Sequence, residues 1–147
     1  MNMPVLVLLG FAAWTLLTLV GSVGVYRWSR ILTGGASIAE WQADVPQGSE
    51  RYRRAMRAHM NCVENLPIFG ALVVALMATG LQSPYIDALS ITILIARIGQ
   101  TVVHIGAAPT NVWAAIRFAL FFAQIFCMTS IAAIIILSTT WCPIPVA

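Results

Sequence analysis

Arg57-Ala58-His59-Met60-Asn61-Cys62-Val63-Glu64-Asn65 runs without a break into Leu66-Pro67-Ile68-Phe69 and a long apolar segment. Formally charged side chains are therefore carried into a stretch otherwise fit for a bilayer. An ionisable group near the centre of a spanning helix costs roughly 2.5–3.5 kcal/mol on insertion scales, and such groups persist where they find a partner, a ligand or a wet cavity. Arg57, Asn61 and Glu64 fall at i, i+4 and i+7, which is one face of a helix. The chain keeps a polar site inside a membrane protein, and its function is to be sought there.

The surrounding composition supports that reading. Of 147 residues, 60% are hydrophobic and 9% charged, and uncharged runs cover 1–26, 65–86, 88–96 and 118–147. About 20 apolar residues of helix cross the ~30 Å of hydrocarbon in a bilayer. Four spans are expected, at roughly 3–27, 54–80, 84–106 and 111–140, the third interrupted by Arg97. No internal repeat or low-complexity tract is visible. Residues 1–147 read as one all-α domain, an integral membrane four-helix bundle. The first span resembles a signal peptide but lacks a basic n-region and is too long for an h-region, so it is read as an uncleaved span.

A formal net charge of +3 would ordinarily raise the question of nucleic acid. Here the basic residues, all of them Arg, sort by loop instead, and no nucleic-acid partner is expected. Arg27, Arg30, Arg51, Arg53 and Arg54 flank the first connection, whereas the second, near 82–87, carries no base. The positive-inside rule then makes the first and third connections cytoplasmic and sends both termini to the opposite side. Arg51, Arg53 and Arg54 are read as topology anchors, and the five tryptophans as interfacial belt or packing residues. Cys62, Cys127 and Cys142 are odd in number and lack CxxC spacing, so neither a disulfide framework nor a metal site follows. Cys62 is read as a small packing residue.

Helix ends are marked locally. Ser37-Ile38-Ala39-Glu40 has a capping-box pattern, predicting a short interfacial helix over 37–44 ended by Pro46 and Gly48. Ser83-Pro84 is an N-cap followed by Pro at the first helical position, with Asp87 in the first turn. Gly106 ends the third helix and Pro109-Thr110-Asn111 opens the fourth. Pro67 removes a hydrogen bond opposite Val63, predicting a bend beside Glu64.

The third span carries its own stripe, Arg97, Gln100 or Thr101, and His104. Glu64 lies about 15 Å past Arg54, and Arg97 about 13 Å before Gly106, at 1.5 Å per residue. Matching depth predicts a Glu64–Arg97 contact within one subunit, with Arg57 and His104 pairing nearer the surface. Arg117, about two turns into the fourth span, falls in the same half. Arg57, Asn61 and Arg117 exceed what one ion pair needs, and surplus positive charge in a wet pocket favours an anionic ligand.

These residues resemble a known family, the membrane-associated proteins in eicosanoid and glutathione metabolism (MAPEG). The resemblance rests on Arg54-x-x-Arg57-Ala58-His59-x-Asn61-x-x-Glu64, continues in Ala96-Arg97-Ile98 through His104, and with the four-span layout covers nearly the whole chain. It implies a homotrimer with glutathione, as co-substrate, at subunit interfaces near the cytosolic side. It also implies that Arg57, Asn61, Glu64 and Arg97 bind glutathione or order its pocket, and that Arg30 reaches the neighbouring subunit's ligand. Three departures stand out. Met60 replaces a ligand-binding arginine of the prostaglandin synthase branch, His104 stands where tyrosine is usual, and Arg117 precedes Phe118 rather than a hydroxyl residue. They argue against prostaglandin synthase chemistry.

The resulting expectation is a glutathione transferase or peroxidase acting on lipophilic electrophiles that arrive from the bilayer. Arg117 would stabilise the thiolate, His104 is the competing activating group, Arg57 would bind a carboxylate of glutathione, Glu64 its α-amino group and Asn61 its peptide groups. Arg97 would hold Glu64 ionised. Expected partners are glutathione, the electrophile, surrounding lipid and further copies of the chain. Two rivals differ in class. A non-enzymatic family member would bind lipid or partner proteins, but Asn61, Arg97 and Arg117 are retained. A small multidrug exporter would need a carboxylate in the first span, where residues 3–26 hold no charge.

Overall fold

The computed structural model describes residues 2–41, 48–107 and 110–141. Among them are four helices long and apolar enough to cross a membrane: Met3–Leu32, Glu50–Thr79, Pro84–Gly106 and a fourth running Asn111–Trp141. The remaining regular element is a single 3-10 turn, Ile38–Glu40. The described chain is all-helical and folds as a four-helix membrane bundle.

Local chemistry sets most of the ends. Ser49 caps the second span, its hydroxyl accepting from Tyr52 N–H at 3.3 Å, and Gly80 closes it in the left-handed region at φ 66°, where a residue without Cβ pays no steric penalty. Ser83 caps the third span by accepting from Tyr85 N–H at 3.2 Å, with Pro84 next in line and Asp87 in the first turn. The second span runs as continuous helix through Pro67.

Two elements depart from expectation. Of the interfacial helix expected over 37–44, positions 42–44 lie outside the described residues, and the described part is one 3-10 turn, Ile38–Glu40: Ser37 makes no side-chain cap, and Trp41 is already extended at φ −84°, ψ 92°. Trp41 instead packs edge-on against Tyr26 and Tyr52, at centroid distances of 6.0 and 5.5 Å. That docking fixes the backbone more strongly than one capping pattern can. Pro46, expected to end this helix, lies outside the described residues, as do Pro109 and Cys142.

The first span also continues five residues past its expected end, to Leu32, and contains a π-helical segment over Leu19–Gly24. Thr15, Thr18 and Ser22 donate their hydroxyls to the carbonyls of Phe11, Trp14 and Thr18. Such back-bonding competes with the backbone N–H for the same acceptor and loosens the helix. With Gly21 and Gly24 close by, the wider turn is tolerated.

The third and fourth spans make the most extensive contact, and the first packs on both the second and the third. Phe11, Cys62, Phe69, Ile93 and Ile131 form the fully buried centre, where the Phe11 and Phe69 rings lie 6.3 Å apart at 29°. Cys62 is sealed in this core, as its reading as a packing residue requires. A smaller cluster of Val23, Tyr52 and Ala55 lies at the end where the first connection joins.

Candidate functional site

The second span buries Ala58, Cys62, Asn65 and Phe69 against its own bundle. Glu64 is two positions past Cys62, about 200° further round a helix of 3.6 residues per turn. Arg57 and Glu64 are accordingly exposed, and Asn61 sits half-buried at the edge of that outer face. The stripe expected from the spacing is present, and it looks outward.

The third-span stripe looks inward. Arg97 is 1% exposed, Gln100 and Thr101 are buried, and His104 is half-buried. The expected Glu64–Arg97 contact is not formed: at similar depth, Glu64 lies on the exposed face of its helix while Arg97 points into the bundle. Among the described residues the ion pair formed is Arg53–Glu50, at 3.8 Å and largely exposed, a kind worth little in high dielectric. Arg97 instead donates from Nη1 to Gln100 Oε1 at 2.9 Å and lies over the Phe11 ring at 5.4 Å. Its Nε and Nη2 are buried without a partner among the described residues.

Gln100 joins this core to the site proper. Its Oε1 also accepts from Gln124 Nε2 at 3.1 Å, so the carbonyl end of the amide is committed to the interior. Gln100 then lines a cavity of about 250 Å³ together with Asn61, His104, Arg117, Phe118 and Phe121. A second cleft of about 190 Å³ shares His104 and Arg117 and is otherwise walled by Glu50, Arg53, Arg54 and Arg57. Each is smaller than the ~300 Å³ of an ordinary small-molecule site; together they form a cationic mouth above a half-aromatic floor.

Of the residues singled out from sequence, the fold assembles Arg57, Asn61, His104 and Arg117 around these cavities; Arg57 and His104 share a cleft wall but form no hydrogen bond with each other. It leaves three apart. Glu64 lines neither cavity. Arg97 is buried behind Gln100. Arg30, exposed at the end of the first span, donates from Nη2 to Gly35 O at 2.8 Å. Arg53 and Arg54, read as topology anchors, prove to be wall residues as well.

The sequence pattern singles out Gln100 only as an alternative to Thr101, and Gln124 not at all. The signal for Gln124 was present: an amide in the middle of an uncharged run must find a partner in hydrocarbon. Asn65 was also passed over. It is buried and donates from Nδ2 to Asn61 O, one turn earlier in the same helix, at 3.0 Å.

Four arginines and one glutamate around the mouth give a positive potential suited to carboxylates. The floor offers amide and imidazole groups beside phenylalanine rings, a surface for a polar chain next to an apolar reactant. The model of the MAPEG family matches residues 5–137. Comparison with curated proteins and with solved structures returned no significant match.

Proposed function

The chain belongs to the MAPEG family, and from that premise we propose that it is a membrane-bound glutathione transferase, with peroxidase activity as a variant of the same chemistry. The observation that carries this reading is the convergence of Arg57, His104 and Arg117, from three different spans, on one cleft continuous with the Asn61–Gln100 floor. Glutathione is a tripeptide with two carboxylates and one thiol. Arg57 and Arg54 suit its carboxylates, Asn61 its peptide groups, and Arg117 its sulfur.

A free thiol titrates near ~8.5 and only the thiolate is a strong nucleophile. A guanidinium within hydrogen-bonding reach could lower that value by about two units, turning a few per cent of thiolate at neutral pH into a majority. The thiolate then attacks an electrophilic carbon, forming a thioether as a leaving group departs or as a conjugated double bond takes up a proton. Alternatively it attacks a hydroperoxide oxygen, breaking the O–O bond to give a sulfenic acid and, after protonation, an alcohol, and a second glutathione converts the sulfenic acid to the disulfide and water. Phe118 and Phe121 provide the apolar side from which a lipophilic substrate would approach.

Glu64 keeps its proposed role as acceptor for the α-amino group only if a second copy brings a ligand to its outer face. Its exposure supports placing the complete site between subunits of a homotrimer, with Arg30 also available to a neighbour. Ala71, Ala75 and Thr79 repeat at four-residue intervals on the same span and would let a neighbouring helix approach closely. By the charge of the first connection the mouth faces the cytoplasm. Isothermal titration of the detergent-purified protein with glutathione is the test. Saturable binding below millimolar ligand is expected, and no heat at millimolar glutathione would overturn the proposal.

A further inference from the structure

A third cavity, of about 320 Å³, lies between the last turns of the first span, the opening turns of the second and the end of the third, and shares no lining residue with the cationic cleft. Its floor is a built structure. Tyr26 and Tyr52 stack at 4.5 Å and 23°. Arg27 packs against them, donating from Nε to Tyr52 Oη at 2.6 Å and lying 5.4 Å over Trp41. Gly48, at φ +81°, lets the chain close over the pair; a Cβ there would stand 2.9 Å from Tyr52 Cδ1 and 3.2 Å from Tyr26 Oη.

Hydrogen-bond accounting shows what the cavity offers. Ser22 and Ser29 spend their protons on the carbonyls of Thr18 and Tyr26. Ser49 and Tyr26 do the reverse. Ser49 Oγ accepts from Tyr52 N–H at 3.3 Å, and Tyr26 Oη accepts from Ser49 N–H at 3.2 Å. Each hydroxyl has used acceptor capacity and retains a proton to donate. Arg51, on the same rim, forms no ion pair among the described residues. Hydroxyl donors and a guanidinium thus face one space, with no carboxylate among the described residues that line it.

Below this rim the walls turn apolar, with Val25, Ala55 and Ile105. At Gly21, in the π-helical segment, nothing lies within 4 Å of where a Cβ would stand. An oxyanion above and a hydrocarbon chain below fit an anionic amphiphile, and the bilayer around the protein is built of phospholipids. We propose that this cavity holds the phosphate of a membrane phospholipid, bound by Arg51, Ser49 and Tyr26, with an acyl chain running down past Gly21. The bilayer surface supplies phosphodiesters at the depth where the second span begins.

Native mass spectrometry of the full-length protein, released from micelles doped with dioleoyl phosphatidylglycerol, tests this. One retained lipid per chain is expected, falling at least fivefold in the Arg51→Ala/Tyr26→Phe double variant. Gly21→Leu serves as an independent check, because it fills open space in a helix without removing a contact; it should lower retention to the same degree. Dioleoylglycerol, which has the chains without the phosphate, should not be retained. Wild-type retention in both variants, or equal retention of dioleoylglycerol, would overturn the proposal. Displacement of the lipid by millimolar inorganic phosphate would overturn the lipid as the source of the bound oxyanion.

Discussion

Arg97 and Arg117 lie on neighbouring helices that pack closely together, yet they occupy opposite kinds of site. Arg97 is sealed in the bundle, with one nitrogen on Gln100, its plane over Phe11 and two nitrogens unpartnered among the described residues. Arg117 is half-buried beside two cavities with three other arginines nearby. A sealed guanidinium can organise the interior but cannot meet a ligand. One at an open cleft repels its like-charged neighbours until an anion arrives. The difference gives the first a structural setting and leaves the second open to the ligand of the proposed function.

The sharpest way to break this contrast is to disturb the sealed side. Phe11 is 0% exposed and supports both the Phe69 ring and the Arg97 guanidinium. Phe11→Ala should cost about 3–5 kcal/mol, the usual range for deleting a buried aromatic ring. Unfolding in mixed detergent checks the value. A loss below 1 kcal/mol would mean that the Arg97 core is not a packed structural element.

On the open side the expected effect is on binding. Arg57→Ala removes a charge-assisted hydrogen bond, worth about 1.5–3 kcal/mol, or roughly 10–150-fold in glutathione affinity at 1.4 kcal/mol per tenfold. The midpoint of thermal unfolding should stay put, because Arg57 is exposed and makes no ion pair among the described residues. Glu64→Gln gives the smallest change in stability, because Glu64 forms no ion pair among the described residues, while weakening glutathione binding in the assembled protein. A large loss of stability from Glu64→Gln would restore a buried partner for the carboxylate.

That last expectation reverses what sequence alone predicts, and the reason is specific. The spacing of Arg57, Asn61 and Glu64 identifies a shared face, and counting residues from each helix end gives depth. Neither reveals which way a face is turned, because azimuth depends on packing against the other three spans. Where packing follows from local chemistry, the chain was readable: Ser83-Pro84 placed the start of the third span correctly, and apolar runs located all four spans. The π-helical segment escaped because hydropathy registers neither the hydroxyl back-bonding of Thr15, Thr18 and Ser22 nor the two glycines, Gly21 and Gly24, that accompany it there. Trp41 was read as belt or packing, but its particular seat against Tyr26 and Tyr52 joins residues far apart in sequence. Asn61, His104 and Arg117 were legible as candidates since polar groups in apolar helices need a reason. Gln124 met the same criterion and was overlooked for want of a charge.

The central claim is that Arg117, and not the imidazole beside it, activates the thiol. Arginine stays charged at every relevant pH, so it can stabilise a thiolate continuously, whereas a neutral imidazole could act only as a base. The direct measurement is the ultraviolet difference absorbance of protein-bound glutathione thiolate in wild type, Arg117→Ala and His104→Ala. The account predicts a thiolate signal in wild type titrating near ~6.5, about two units below the free thiol. It predicts that the signal disappears in Arg117→Ala, with residual glutathione affinity through Arg57, and persists in His104→Ala. A signal that survives Arg117→Ala and vanishes in His104→Ala would contradict it.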